Sequence, residues 1–120
     1  MYPIGATLEV DCLFYKHVSS YVGNNLVLHN HRIRGEEIVS LDTFSEGRKI
    51  KVKTGGVSDV ATFMRRVQNV LVNPKSYNVF SNNCEHTVSR VRDGITSSPQ
   101  LTGYILLCVG ALILSRSMRA

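Results

Sequence analysis

Three side chains of this 120-residue chain have the types and spacing to do chemistry: Cys84, in Ser81-Asn82-Asn83-Cys84-Glu85-His86, and the upstream histidines His17 and His29. The cysteine follows an extended run, Tyr77 to Phe80, and opens a segment that reads as a helix from Cys84 to Asp93 with Gly94 as its stop. Asn82 or Asn83 caps that helix. A thiol in the first turn faces unpaired backbone N–H groups and the positive end of the dipole, which favour the nucleophilic thiolate. With a neighbouring imidazole, its pKa is expected to fall below about 8.5. The competing reading is a small buried hydrophobe, since free cysteine usually packs inside; the histidines weigh against it.

Asn24-Asn25 reads as a two-residue hairpin turn, because Asn tolerates positive φ. With Val22 facing Leu26, strand partners have residue numbers summing to about 48, a pairing that follows from antiparallel register. His17 then pairs near His31 and lies a diagonal step from His29, all on one face. A base and its orienting partner thus come from one hairpin, with the nucleophile docked from a helix start. His31 is the alternative orienter.

On these residues the chain resembles the lecithin:retinol acyltransferase-like proteins. These form a permuted branch of the papain-like NlpC-type superfamily that includes small phospholipase/acyltransferases and some viral proteins. The matching pieces are Gly5 to Val10, His17 with Tyr21-Val22-Gly23, His29, Tyr77-Asn78 and Asn83-Cys84-Glu85-His86, over roughly residues 4 to 95. Two positions depart from the pattern: Val18 and Thr87 stand where a large aromatic often follows the first histidine and the Asn-Cys-Glu-His motif. Both bear on the lining of a substrate groove more than on a triad. The resemblance implies an α+β fold: a small antiparallel sheet packed against helices in a permuted papain-like domain, with a C-terminal hydrophobic helix.

Composition sets looser bounds. A chain of this length is one domain of ordinary size, here residues 1–96, with an attached segment, 97–120. The net charge of +5 is spread along the chain, which suits a solvated basic surface or, more sharply, an anionic membrane surface. Nucleic acid is not expected as a partner, because no stacking aromatics interleave with the basic residues. Three dispersed cysteines, Cys12, Cys84 and Cys108, suggest neither a disulfide framework nor a zinc ribbon and fit a reducing, intracellular compartment. His29-x-His31 and Cys84-x-His86 lack structural-zinc spacing, so no metal is expected, and no cofactor is implied. Residues 1 to 11 show no signal peptide.

Periodicity assigns the remaining elements. Ile4 to Val10 reads as a strand, Leu13 to Lys16 leads into the hairpin, and Glu37 to Val39 is extended. Ser40 or Asp42 starts a helical turn through Phe44. Arg48 to Lys53 alternates as a half-buried strand with Ile50 and Val52 inward. Ser58 caps a helix to about Val72 whose Val60, Phe63, Met64, Val67, Val70 and Leu71 recur at core-facing steps. Asn73-Pro74 stops it.

From Gly94 to Ser115 there is no charge, and Leu101 to Leu114 is almost wholly apolar. Crossing a bilayer core takes about 20 helical residues, so Leu101 to Leu114 alone is too short. A span from Pro99 to Met118 reaches that length by including polar ends, with Arg116 and Arg119 among headgroups. A transmembrane anchor is the favoured reading; a helix buried against the domain is the alternative.

The expected function is thiol-dependent acyl transfer from glycerophospholipids. Cys84 attacks an ester, His17 moves the proton and His29 orients His17. Water as acceptor gives phospholipase activity, and an amine or alcohol gives acyltransferase activity. The Cys84 N–H is a candidate oxyanion donor, and Tyr21 and Asn83 are candidate substrate or oxyanion groups. Glu85 is read as supporting its helix N-terminus and His86 as structural. A catalytically silent, membrane-attached adaptor and an NlpC-type amide hydrolase are the rival readings.

Overall fold

The computed structural model describes residues 1–119. Strands β1 (Thr7–Asp11), β2 (Lys16–Gly23), β3 (Leu26–His31), β4 (Gly35–Ser40) and β5 (Lys51–Thr54) form one antiparallel sheet in the order β4-β3-β2-β1-β5. The helices are α1 (Leu41–Ser45), α2 (Val60–Val72), α3 (Cys84–Asp93) and α4 (Pro99–Arg119). The architecture is α+β, as the resemblance implies.

The sheet is covered on both faces because successive strand residues point to opposite sides. Leu8, Val10, Tyr21 and Val27 meet Phe44 of α1 on one face. Leu28 meets Phe63, Val67 and Val70 of α2 and Val91 of α3 on the other. Packing against a covered sheet face explains why α2 holds its stripe, although Val60 and Leu71 at its rim are each 40% exposed. Asp59, not Ser58, caps α2 through Thr62 N at 3.0 Å.

The β2–β3 hairpin has the expected register in its body, with Ser19↔His29, Ser20↔Leu28 and Tyr21↔Val27. At the tip the register shifts, and Gly23 rather than Val22 opposes Leu26. A two-residue turn demands that residues 23 and 26 flank it, so a bulge at Val22 absorbs the odd residue. Asn24 and Asn25 have φ of 53° and 59°, the left-handed pair that such a turn requires.

Other expectations shift for identifiable reasons. The first strand starts at Thr7 rather than Ile4, and Leu13 to Tyr15 form a bent loop closed by Cys12 N to Tyr15 O at 2.8 Å. β5 begins at Lys51, all four of its residues are exposed, and only Ile50 before it packs on the core. A lysine-rich strand at the open edge of a sheet keeps its charges in water. Residues 77–80 are not extended: Asn78 and Asn82 form a bridge, and Asn78 Oδ1 accepts from Phe80 N and Ser81 N. Asn side chains stabilise such turns by bonding the backbone just ahead. Ser40 caps α1 through Thr43 N.

The C-terminal segment forms a helix, but none among the described residues is long and apolar enough to cross a membrane. The transmembrane reading of 97–120 therefore gains no support from the described residues. Residues 102–112 of α4 are all exposed, which weighs against the buried-helix alternative over that stretch.

Candidate active site

α3 begins where the sequence places it. Asn83 is its cap, with Oδ1 accepting from Glu85 N at 2.9 Å and His86 N at 3.1 Å, and His86 Nδ1 accepts from Asn83 N at 2.9 Å. His86 therefore plays the return part of a capping box. The Asn83 amide also donates to Val79 O and Ser98 Oγ. Its side chain is committed to local structure rather than turned to a substrate.

A buried polar network docks this helix start onto the sheet. Asn30 Nδ2 donates to Asn82 O at 2.7 Å and Thr87 Oγ1 at 3.2 Å. The Glu36 carboxylate accepts from Thr87 Oγ1, Arg90 Nη2 and Lys75 N, each at 2.7 Å, and Arg90 Nη2 also reaches Asn82 Oδ1 at 2.7 Å. A buried carboxylate is tolerable because each oxygen is matched to a donor. Thr87, in the place of the usual aromatic, belongs to this network and is fully buried; Val18 packs beneath Cys84 with Val88. Neither residue lines the groove of the thiol or that of the histidines.

His17 and His29 meet on the opposite face, beside Phe44. His17 Nε2 lies 3.0 Å from His29 Nδ1, and His29 Nε2 lies 3.0 Å from Glu37 Oε2. Glu37 faces His29 directly in the β3–β4 ladder and is held in turn by Arg34 Nε at 2.7 Å. A carboxylate only accepts, so His29 carries its proton on Nε2 and presents a bare Nδ1, to which His17 Nε2–H donates. His17 Nδ1 is left with a free lone pair, which is the atom a general base needs. Burial, then the charges of His29, His31 and Arg48, hold His17 down to about 3. Burial also lowers His29, while Glu37 pulls upward. The Arg34 hydrogen bond leads in holding Glu37 down to about 2. His31 instead accepts from Ile33 N and Arg34 N and caps the β3–β4 turn.

Cys84 is not hydrogen-bonded to either imidazole among the described residues. Its Sγ lies 3.9 Å from Lys16 O, one residue from His17. The thiol opens into a groove of about 450 Å³ and the histidines into one of about 370 Å³, and the two share Phe14, Tyr15, Arg32 and Tyr77 as walls. Burial pushes the Cys84 thiol up to about 11, and the Glu85 charge adds to the rise. The Val18 N–H of β2 and, less strongly, the N–H groups at the helix start pull downward, but desolvation outweighs them. The expected pKa below that of a free thiol is thus reversed in this conformation.

Tyr21 stands away from both grooves. It is 1% exposed, stacks edge-on with Tyr2, and its hydroxyl donates to Met1 Sδ and accepts from Asn25 N. Glu85 lies in the first turn of α3, where its charge suits the helix start, and its Oε1 also accepts from Ser98 Oγ at 2.7 Å and Gln100 N at 2.8 Å, capping the start of α4. Glu37, Tyr15 and Gln100 escaped the sequence reading. The parity of Glu37 with His29 across a short β3–β4 connection was the one signal that could have found any of them. No group of three or more His, Cys, Asp or Glu among the described residues could hold a metal ion.

A helix-opening cysteine and a two-histidine sheet in a small α+β domain are in keeping with a family of acyltransferase and phospholipase type in general. The model of the lecithin retinol acyltransferase family matches residues 1–97. The chain belongs to that family, and all three site residues lie in the matched span. No curated protein sequence matches the chain.

Proposed function

We propose that this protein transfers acyl groups from glycerophospholipids through a thioester on Cys84. The observation that carries the reading is the Glu37–His29–His17 relay, which presents a bare His17 Nδ1 at a groove sharing its walls with that of the thiol. The thiol proton passes to His17 Nδ1 as sulfur adds to the ester carbonyl. The departing alkoxide takes that proton back, leaving acyl-Cys84. Water then releases a fatty acid, or an amine or alcohol accepts the acyl group, and the thiol is restored. The Cys84 N–H, in the first turn and without an intrahelical acceptor, is the donor this reading assigns to the oxyanion.

The substrate surface follows from what is exposed. Leu13, Phe14, Ile33 and Phe80 are each more than 70% exposed around the grooves, and the exposed apolar α4 continues the patch. Together with the net charge of +5, this favours attachment to the surface of an anionic membrane. Three free cysteines favour a reducing, intracellular compartment.

The test is intact mass spectrometry after incubation with phospholipid vesicles. A hydroxylamine-labile acyl adduct is expected on the native chain and none on Cys84→Ala. The second reading, a silent membrane-attached adaptor, is favoured by the high thiol pKa and the missing thiol–imidazole hydrogen bond. An absent adduct with vesicle binding intact would establish it.

A further inference from the structure

The first turn of α4 lies just beyond the span matched by the family model, yet it touches the site at three points. Gln100 Oε1 accepts from Lys16 N at 3.0 Å, and Gln100 Nε2 donates to Lys16 O at 3.0 Å. One carboxamide therefore holds both polar groups of one backbone residue. That carbonyl is also the acceptor facing the Cys84 thiol. Lys16 is the first residue of β2, and His17 is the second. On one side, Tyr104 Oη donates to Phe14 O at 3.0 Å; on the other, the backbone of Gln100 is fixed by the Glu85 carboxylate. Gln100 and Tyr104 also wall the Cys84 groove.

We propose that Gln100 is a positioning residue of the acyl-transfer site, fixing the Lys16 peptide that spaces the Cys84 thiol from the His17 imidazole. The proposal rests on the acyl-transfer reading for its kinetic consequence, though not for the clamp itself. A carboxamide suits the task because it donates and accepts in one plane, matching a β-strand residue that offers N–H and C=O to the same side. A bound carbonyl aimed at the thiol favours the neutral S–H and keeps the nucleophile protonated until substrate arrives. The C-terminal segment is then part of the site's geometry rather than only an attachment.

Two full-chain variants test this. Gln100→Ala removes both bonds; Gln100→Glu keeps an acceptor for Lys16 N but has no N–H to give Lys16 O. The readouts are kcat and KM on a short-chain ester, the pH profile of Cys84 alkylation by iodoacetamide, and thermal melting. Tyr15, Arg32, Tyr77, Glu85 and Tyr104 are the titratable and charged groups facing the thiol, and all are unchanged in both variants. In Gln100→Ala, kcat is expected to fall on the order of tenfold to a hundredfold with KM nearly unchanged, as for small misplacements of reacting groups. The alkylation midpoint should move to lower pH in Gln100→Ala, whereas in Gln100→Glu the added carboxylate charge, like that of Glu85, holds it up. Native kcat and a native alkylation profile in Gln100→Ala would overturn the proposal. So would activity that falls only in step with melting temperature while the profile stays put, since that marks a purely structural contact. If Gln100→Ala does not fold, the split between kcat and KM in Gln100→Glu decides alone. If the native chain forms no acyl adduct, the acyl-transfer reading fails, and the alkylation profile still judges the clamp.

Discussion

Glu37 Oε2 lies 3.0 Å from His29 Nε2, directly across the β3–β4 ladder. This contact decides which nitrogen of His29 is protonated, and through it which nitrogen of His17 is free. Glu37→Gln removes the charge and lets the amide flip to donate, so the tautomer is no longer imposed. A drop in kcat of about tenfold, with KM steady, is expected, in line with the loss of outer-shell partners of a functional histidine. Native steady-state kinetics in Glu37→Gln would show that the relay has no part in turnover.

The two imidazoles should separate by size of effect. His17→Ala removes the base and should cost on the order of a hundredfold or more in acylation rate. His29→Ala leaves a base that is merely less well oriented and should cost less. His31→Ala loosens the β3–β4 turn and should leave the chemistry nearly intact. Single-turnover acylation rates rank the three; His31→Ala proving worse than His29→Ala would reverse the assignment of orienter.

The Cys84 thiol, raised to about 11, should react slowly with iodoacetamide at neutral pH and faster as the pH climbs toward that value. Exposed Cys108 should label first. For stability the sign is fixed by linkage: a thiol held protonated in the fold stabilises it below the thiol's ordinary pKa, and that contribution is lost as pH rises toward 11. Mass-resolved labelling across pH checks the first point and melting at alkaline pH the second.

Acid should act through the histidines. His17 sits at about 3, far below its ordinary 6.5, with His29 lowered too. Between those values the unfolded chain binds more protons than the folded one, so stability falls as pH drops from about 6.5 toward 3. Melting temperatures over that range should decline, and less steeply in His17→Asn. Parallel curves for the two proteins would refute the burial of His17 in neutral form.

Glu36 has a fully buried side chain, paired to Arg90 at 2.7 Å. Glu36→Ala leaves Arg90, Lys75 N and Thr87 without their acceptor and should cost about 3–5 kcal/mol, as removal of one partner from a buried ion pair does. Urea denaturation measures it. A loss below about 1 kcal/mol would mean that water substitutes freely for the carboxylate.

Much of this protein was legible in residue order. Asn24-Asn25 dictated a left-handed turn through local backbone sterics alone, whereas the bulge at Val22 set which residues of β2 and β3 share a face. The Asn83 cap and the Gly94 stop set the limits of α3 locally as well. Other features depended on distant chain segments coming together. Whether Cys84 ionises is a contest between helix-start N–H groups, visible in sequence, and desolvation under Phe14, Tyr15 and α4, visible only when those segments converge. Glu85 looked like a helix-start carboxylate; it also caps α4, because Ser98 and Gln100 fold back against it. Short-range sterics and hydrogen bonds are written in neighbouring letters, whereas burial and electrostatics are sums over segments up to 90 residues apart, as Phe14 and Tyr104 are, and only the folded chain adds them up.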